Sequence, residues 1–491
     1  MSVSLCMIVR NEAKNLKACL ASVEGVADEI VVIDTGSVDD TQRIAEDCGA
    51  RVYEFPWRDD FAAARNESIE RATRDWILWL DGDDRIPLES REKLLTLTRS
   101  LPNANVAFLM TVVSVGPDGR PIGQAAQVRL FRRDPRLRWE YRVHEQILPA
   151  LRRTGGSTRE TEIVIGHVGY MRPTDVDKKL ERNLRLVDRD LEDRPLDGHL
   201  LCCRAAILVE KRCATQALVT IGLWEGAYER FTPPASLCAF KVVALAMDEQ
   251  LHAALECVRE GLGYHPRDAK LAFLEAQVLA ARGDLTEAEG CLRVQLLVAG
   301  EHAPFGVVDC TIEAYRARHL LAQVLLTQGR AHEALAEARL VTETRPGYGP
   351  GWLTMAEAAS LVGDDRAFDA ARARLAASAD AVEADVVLHA IRLRQSGGPD
   401  AGLRHVASSI AAKRATHPAL AAIYVELLFQ TGVRGARLDT AVRQAVTYDT
   451  FCLPAWAVKQ RLRSEPESVR PAPDFPRYPY AAATSFALEC K

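Results

Sequence analysis

Nowhere do the 491 residues contain a run approaching the roughly 18 apolar positions that a membrane-spanning helix needs. The N-terminus, SVSLCMIV, has no basic segment ahead of its short apolar stretch and no small-residue cleavage site, so it reads as a first strand and not as a signal peptide. Positive charge is not in excess either: 62 Lys and Arg stand against 67 Asp and Glu, a formal net charge of -5. That balance argues against a general nucleic-acid binder, which normally shows a basic surface. CxxC spacing is absent, and the 12 cysteines are scattered singly apart from the neighbours Cys202 and Cys203. Such usage fits reduced, mostly buried thiols in a cytoplasmic protein better than a disulfide framework or a zinc site. What remains is an ordinary globular composition, 48% hydrophobic and 26% charged, on a chain long enough for several domains.

Up to about residue 100, short apolar runs (SLCMIV, EIVVID, RVYEF, WILWLD) alternate with helical stretches (NLKACLASV, TQRIAEDCG, AAARNESIERA). This order predicts βαβ units and a mainly parallel sheet. Ser37, followed three residues on by Asp40, predicts a capping box at the second helix. From Val106 the pattern turns β-rich, with VAFLMTVVSV, a GPDG turn, QVRLF and TEIVIGHVGY. After about Asp175 strand signals stop and a repeat becomes visible. Gly283, Gly329 and Gly363 each end an apolar helix and are followed five residues later by Ala288, Ala334 and Phe368. Pro346 lies midway between Gly329 and Gly363, which are 34 residues apart, the length of a tetratricopeptide repeat. Trp352 falls at the early aromatic position of such a repeat. Helix pairs of this kind cannot bury their apolar faces alone, so a stacked solenoid with a concave surface is expected. The expected division is an α/β domain over 1–175, linking helices over 176–240, tetratricopeptide-like repeats over 241–463 and a proline-rich tail over 464–491.

The strongest chemical signal is WILWLDGDD, an apolar strand that ends in Asp81-Gly82-Asp83-Asp84. Carboxylates there lie at the carboxyl edge of the sheet, where open α/β folds bind ligands. Two acidic side chains flanking a small residue can share a hard divalent cation, Mn²⁺ or Mg²⁺, which in turn clamps a diphosphate. Such a cation stabilises the charge that builds on a departing nucleoside diphosphate.

Together SLCMIVRNE, VVIDTGSVDDT, FAAARN and WLDGDD, in that order, resemble the family 2 glycosyltransferases. The resemblance covers residues 1 to about 175. It implies a GT-A fold, an α/β nucleotide-diphospho-sugar transferase domain, ahead of the all-α tetratricopeptide-like solenoid. It also implies inverting transfer from a nucleotide-sugar donor, with a UDP-sugar favoured. RLFRRD, WEYRVHEQI, HVGYMRP and KKLERNLRLV resemble a bacterial subgroup that carries such repeats and includes peptide S-glycosyltransferases of sublancin type. The QxxRW motif of processive polysaccharide synthases is missing, which speaks against a polymerase.

Carried over position by position, the resemblance places Asp34 on the nucleobase, with Val9 and Asn11 lining the same pocket. Arg65 approaches the base or the diphosphate, Asp81 the ribose or the metal, and Asp83 is the principal metal ligand. For the base that takes the acceptor proton, Glu145 in the VHE motif is the first choice and His144 is its neighbour, directed elsewhere if that segment is extended. His167, which ends TEIVIGH, completes the metal site or orients the diphosphate. The acceptor is expected to be a peptide or protein presented by the repeats, through an O- or S-linkage, and a second copy of the chain is a further candidate partner. Two other readings stay open: a transferase for a small metabolite or glycan, and a tetratricopeptide scaffold with a degenerate transferase domain. Intact Asp81, Asp83, Glu145 and His167 count against the last.

Overall fold

The computed structural model describes residues 2–116, 119–169, 173–298, 307–378, 381–411 and 418–464. The centre of the GPDG turn, Tyr170 to Arg172 of HVGYMRP, and the proline-rich stretch after 464 lie outside the described residues. The chain divides into two compact units. One is built on Met1–Ile207 together with a short stretch ending at Cys310, and the other begins at Leu208. Among the described residues no helix is long and apolar enough to cross a membrane.

The first unit runs β1 (Val3–Val9), α1 (Leu16–Ser22), β2 (Glu29–Asp34), α2 (Thr41–Asp47), β3 (Arg51–Glu54), α3 (Phe61–Arg71), β4 (Trp76–Trp79), β5 (Asp84–Arg85), α4 (Leu88–Arg99), β6 (Val106–Val115), β7 (Pro121–Arg132), α5 (Leu148–Arg153), β8 (Ser157–His167) and α6 (Pro173–Asp193). The sheet order is β3-β2-β1-β4-β7-β6-β8-β5. β3, β2, β1 and β4 are parallel, β7 is antiparallel to both β4 and β6, and β8 returns parallel to β6. Helices cover both faces, which explains why the strands read as nearly continuous apolar runs instead of alternating ones. The two-residue period of a strand still sorts side chains between faces. Trp76 and Leu78 join Leu16, Cys19, Leu20 and Leu94 from α1 and α4. Ile77 and Trp79 join Ala62, Ala64 and Ile69 from α3 and Ala150 and Leu151 from α5.

Two local expectations are corrected. The Ser37–Asp40 capping box does not form. Ser37 Oγ instead accepts from the Asn11 amide (2.9 Å), Asp40 pairs with Arg43, and Asp39 accepts from the Thr41 amide (3.1 Å). Strands also do not end with β8: Val307–Val308 (β9) pairs antiparallel with Gln124 and Ala125 of β7. This interruption accounts for the spacing of the repeats. Gly283 and Gly329 are 46 residues apart, not 34, because the stretch carrying β9 is inserted between their helix pairs. Among the described residues no disulfide joins the cysteines, but only Cys6, Cys19, Cys238 and Cys452 are buried, fewer than expected.

The second unit is helical. Its pairs include Ala269–Arg282 with Leu285–Leu297, Ala317–Thr327 with Ala331–Thr344, and Gly349–Val362 with Asp365–Leu375. Gly329 and Gly363 make the turns at φ 79° and 77°, a left-handed conformation that glycine adopts without a Cβ penalty. Ala288, Ala334 and Phe368 are buried as the repeat pattern requires, and the Trp352 indole donates to the Pro346 carbonyl (2.8 Å), closing the link between pairs. The fold is therefore an α/β transferase-type domain followed by a tetratricopeptide-like solenoid.

Ala334 has no exposed surface, so Ala334→Leu should overpack its helix pair and cost about 1–3 kcal/mol. Urea unfolding should show a lower midpoint at unchanged slope; an unshifted midpoint would contradict the close packing at this position.

Candidate active site

Three strand ends and the loops that follow them build the site. At the end of β1, the Val9 side chain is buried in the core, and its carbonyl accepts from Thr35 N (3.0 Å) and Oγ1 (3.1 Å). Val9 is thus held in register with Asp34, which ends β2. Asp34 Oδ1 accepts from the amides of Gly36 (2.9 Å) and Ser37 (2.8 Å). Its Oδ2 is buried without a hydrogen-bond partner. Burial pushes the carboxyl up, but hydrogen bonds from Ser37 and Gly36 more than offset it, with Gln42 contributing least, and the group lies below the ordinary carboxylate range. Asn11 sits at φ 57°, and its Oδ1 accepts from Val38 N (2.8 Å), tying the loop after β1 to the loop after β2.

β4 delivers the acidic group. Asp81, Asp83, Asp84 and His167 each offer one ligand atom, and these atoms lie within 4.8 Å of one another. His167 reaches them because β8 pairs antiparallel with β5, setting His167 opposite Asp84. Its Nδ1 lies 2.9 Å from Asp84 Oδ1 and 3.3 Å from Asp83 Oδ1. Carboxylates with one imidazole form a donor set suited to a hard or borderline divalent cation. A second observation supports the fit. A Cβ added at Gly169 would run into Asp83 Oδ2 and lie 2.7 Å from His167 Nε2, so both ligand atoms converge where the chain provides only a glycine. Glu12 stands next to this cluster. Burial raises its carboxyl above the usual range, the Asn15 amide opposes, and the charges of Asp83, Asp81 and Asp39 raise it further.

Arg65 joins the acidic cluster to the VHE loop. Asp60 caps α3 by accepting from Ala63 N (2.8 Å), and one turn further on Arg65 points into the domain. Its Nε donates to Glu145 Oε1 (2.6 Å) and its Nη2 to Asp81 Oδ1 (3.0 Å). Burial disfavours the guanidinium charge, but Glu145 and Asp81 outweigh it and make the group more basic than usual. The VHE segment is a tight bend and not an extended strand, with Tyr141 and His144 at φ 73° and 56°. Mutual backbone hydrogen bonds between Glu140 and Gln146 close it, and the Arg142 amide donates to Asp190 of α6 (2.7 Å). His144 is exposed and contributes its carbonyl, within hydrogen-bond distance of His199 Nε2 (3.0 Å).

Asp81, Asp83, His167, Arg65 and Glu145 are thus brought together, while Val9, Asn11 and Asp34 form a neighbouring group at the ends of β1 and β2. Sequence reasoning assigned no role to Asp84, Arg129, Trp79 or Gly169. Arg129 is buried and bonds Asp84 Oδ2 (2.8 Å), and it carried a signal: an arginine inside the apolar strand QVRLF, flanked by buried Val128 and Leu130.

Fold and site define the class: an α/β domain with an acidic cation-type cluster at the carboxyl edge of its sheet, ahead of helical repeats. Residues 4–157 match the family model described as Glycosyl transferase family 2. A TPR repeat-containing protein of Synechococcus elongatus is 38% identical over 236 residues, 46% of this chain and 58% of that protein. The SPbeta prophage-derived glycosyltransferase SunS of Bacillus subtilis is 31% identical over 148 residues, 30% of this chain and 34% of that protein. A solved TPR protein of Thermus thermophilus aligns with 38% of this chain and 93% of its own at 20% identity, with a TM-score of 0.31. The chain therefore spans about a third to three fifths of the curated relatives named here.

Gly169→Ala should destabilise the protein by about 1–3 kcal/mol, because its methyl group meets the half-buried Asp83 carboxylate and the buried His167 ring. Gly82→Ala should also cost stability, since its methyl would lie 2.8 Å from Cγ and 3.1 Å from Cβ at the root of the Glu12 side chain. Urea melts decide this, and an unshifted midpoint for Gly169→Ala would contradict the crowding at that glycine.

Proposed function

We propose that the chain is an inverting glycosyltransferase that moves a sugar from a nucleoside-diphosphate donor, a UDP-sugar, to a peptide or protein acceptor through oxygen or sulfur. The observation that carries this reading is the convergence of Asp81, Asp83 and His167 at the end of β4, in a family 2 domain, with Arg65 linking Asp81 to Glu145. Residues 1–175 form the transferase domain, helices over 176–240 link it to the repeats, and the repeats over 241–463 present the acceptor along their concave face.

Asp34 receives the nucleobase, and its unpaired buried Oδ2 supports that role: a base N–H would satisfy an oxygen that is costly to leave bare. The Val9 backbone and Asn11 shape the same pocket. Asp83, with Asp81 and His167, holds the cation, Mn²⁺ or Mg²⁺, which when bound supplies Lewis-acid stabilisation of the departing diphosphate. Arg65 occupies Oε1 of Glu145, and Oε2 takes the acceptor proton. As the acceptor oxygen or sulfur bonds to the anomeric carbon, the bond from that carbon to the phosphate oxygen breaks, and its electron pair leaves with the diphosphate. His144, next in the bend, is the alternative proton acceptor.

Asp83→Ala should remove the Mn²⁺-dependent part of UDP binding while leaving the fold intact, because the principal ligand of the clamp is lost. Isothermal titration of UDP with and without Mn²⁺ reads this directly, and unchanged metal-dependent affinity would sink the assignment. Glu145→Gln keeps an acceptor for Arg65 but removes the base, so donor affinity should hold while turnover falls by about 100-fold or more. Near-wild-type turnover across pH would move the base to another residue.

A further inference from the structure

We infer that Asp84, held by Arg129, is a positioning residue for His167 and not one of the cation's ligands. The inference rests on the cation reading above, but its first test does not need the cation. Asp84 has no exposed surface, and both of its oxygens are already engaged inside the protein. Oδ2 accepts from Arg129 Nη1 (2.8 Å) and from the Asp81 amide (2.9 Å). Oδ1 lies 2.9 Å from His167 Nδ1. The Asp84 charge is thus compensated from within, by an arginine whose side chain is only 2% exposed. Arg129 is fixed in its turn: its guanidinium lies 3.7 Å from the centroid of the Trp79 ring, and the Trp79 indole donates to the Val128 carbonyl (2.6 Å).

This arrangement has a defined consequence for the imidazole. A carboxylate that can only accept selects the tautomer with the proton on Nδ1, which leaves the lone pair on Nε2. Nε2 is the atom that converges with Asp83 Oδ2 at Gly169. A carboxylate that orients a ligating histidine through its other nitrogen is a general device for fixing ring angle and tautomer. In this site it comes with its own counterion, so His167 is aimed before any cation arrives.

Asp84→Asn separates this role from a merely structural one. Arg129 and the Asp81 amide both require an acceptor, so the Asn carbonyl should face them and its amide should face His167 Nδ1. The Asn amide thereby opposes a proton on Nδ1, against the weaker pull of Asp83 Oδ1 at 3.3 Å, and favours Nε2. The full chain with ¹⁵N-labelled histidine, metal-free, should show His167 with its proton on Nδ1, and Asp84→Asn should show the opposite tautomer. Mn²⁺ affinity by titration calorimetry should fall about 10- to 100-fold in Asp84→Asn and in Arg129→Met, with Arg129→Lys recovering part of the loss. A wild-type His167 protonated on Nε2 or on both nitrogens, or a tautomer unmoved by Asp84→Asn, would overturn the inference. If Asp84→Asn does not fold, the wild-type tautomer and the Arg129→Lys against Arg129→Met comparison decide it. A wild type with the proton on Nδ1 that binds no Mn²⁺ supports the positioning geometry and instead removes the cation reading.

Discussion

The buried pairing of Asp84 with Arg129 is the contact on which the site depends. Three carboxylates within four residues would repel one another at the end of an apolar strand unless opposite charge were built in beside them. Breaking such a pair by removing one partner costs roughly 3–5 kcal/mol, because it strands a desolvated charge. Two arginines reach the cluster from different elements, Arg65 from α3 and Arg129 from β7, and both lie over Trp79, at 4.1 and 3.7 Å from its ring. Among the six side chains Asp81, Asp83, Asp84, Glu145, Arg65 and Arg129, the formal charges leave two negative units, the complement of a divalent cation.

The fold places these groups with little freedom. β4 is flanked by β1 and β7, so the turn that follows it is held against a strand on each side. The sulfur of Cys19 on α1 donates to the Asp81 carbonyl (3.3 Å), fixing the turn from one layer, while Arg65 fixes it from the other. The VHE bend would be free to move were it not tied at both ends. Its Arg142 carbonyl accepts from the Phe61 amide at the start of α3 (2.8 Å), and Tyr141 and Val143 share a core with Val176, Leu180 and Val187 of α6. Asp81 and Glu145, 64 positions apart in sequence, are joined through one guanidinium because helix, strand end and bend are each anchored independently.

Much of this was legible in the sequence. The four parallel strands and their helices are legible as apolar runs, most clearly β1 and β4, which are buried on both faces, and the turn glycines and small residues of the repeats mark the helix pairs. Asp81, Asp83 and His167 are legible as candidates from WLDGDD and TEIVIGH, and the structure brings them together. Three features were hidden for physical reasons. Asp84 looks like one more turn aspartate until β5 pairs with β8 and buries it against His167. Arg129 stands out as a charge inside an apolar strand, but its partner is not legible until the antiparallel pairing of β7 with β4 sets it against Trp79 and Asp84. The capping box failed because Asn11, from a different loop, takes the Ser37 hydroxyl, a long-range contact that no local pattern encodes.

The central claim is that Asp83 and His167 hold a cation which clamps the donor diphosphate. Crystals grown with UDP and Mn²⁺, with diffraction collected on both sides of the manganese absorption edge, test it most directly. The account predicts a single anomalous peak in contact with an Asp83 carboxylate oxygen, His167 Nε2 and the diphosphate, with Asp84 outside the coordination sphere. UDP bound with its diphosphate away from this cluster, or a peak that leaves Asp83 and His167 unligated, would contradict it.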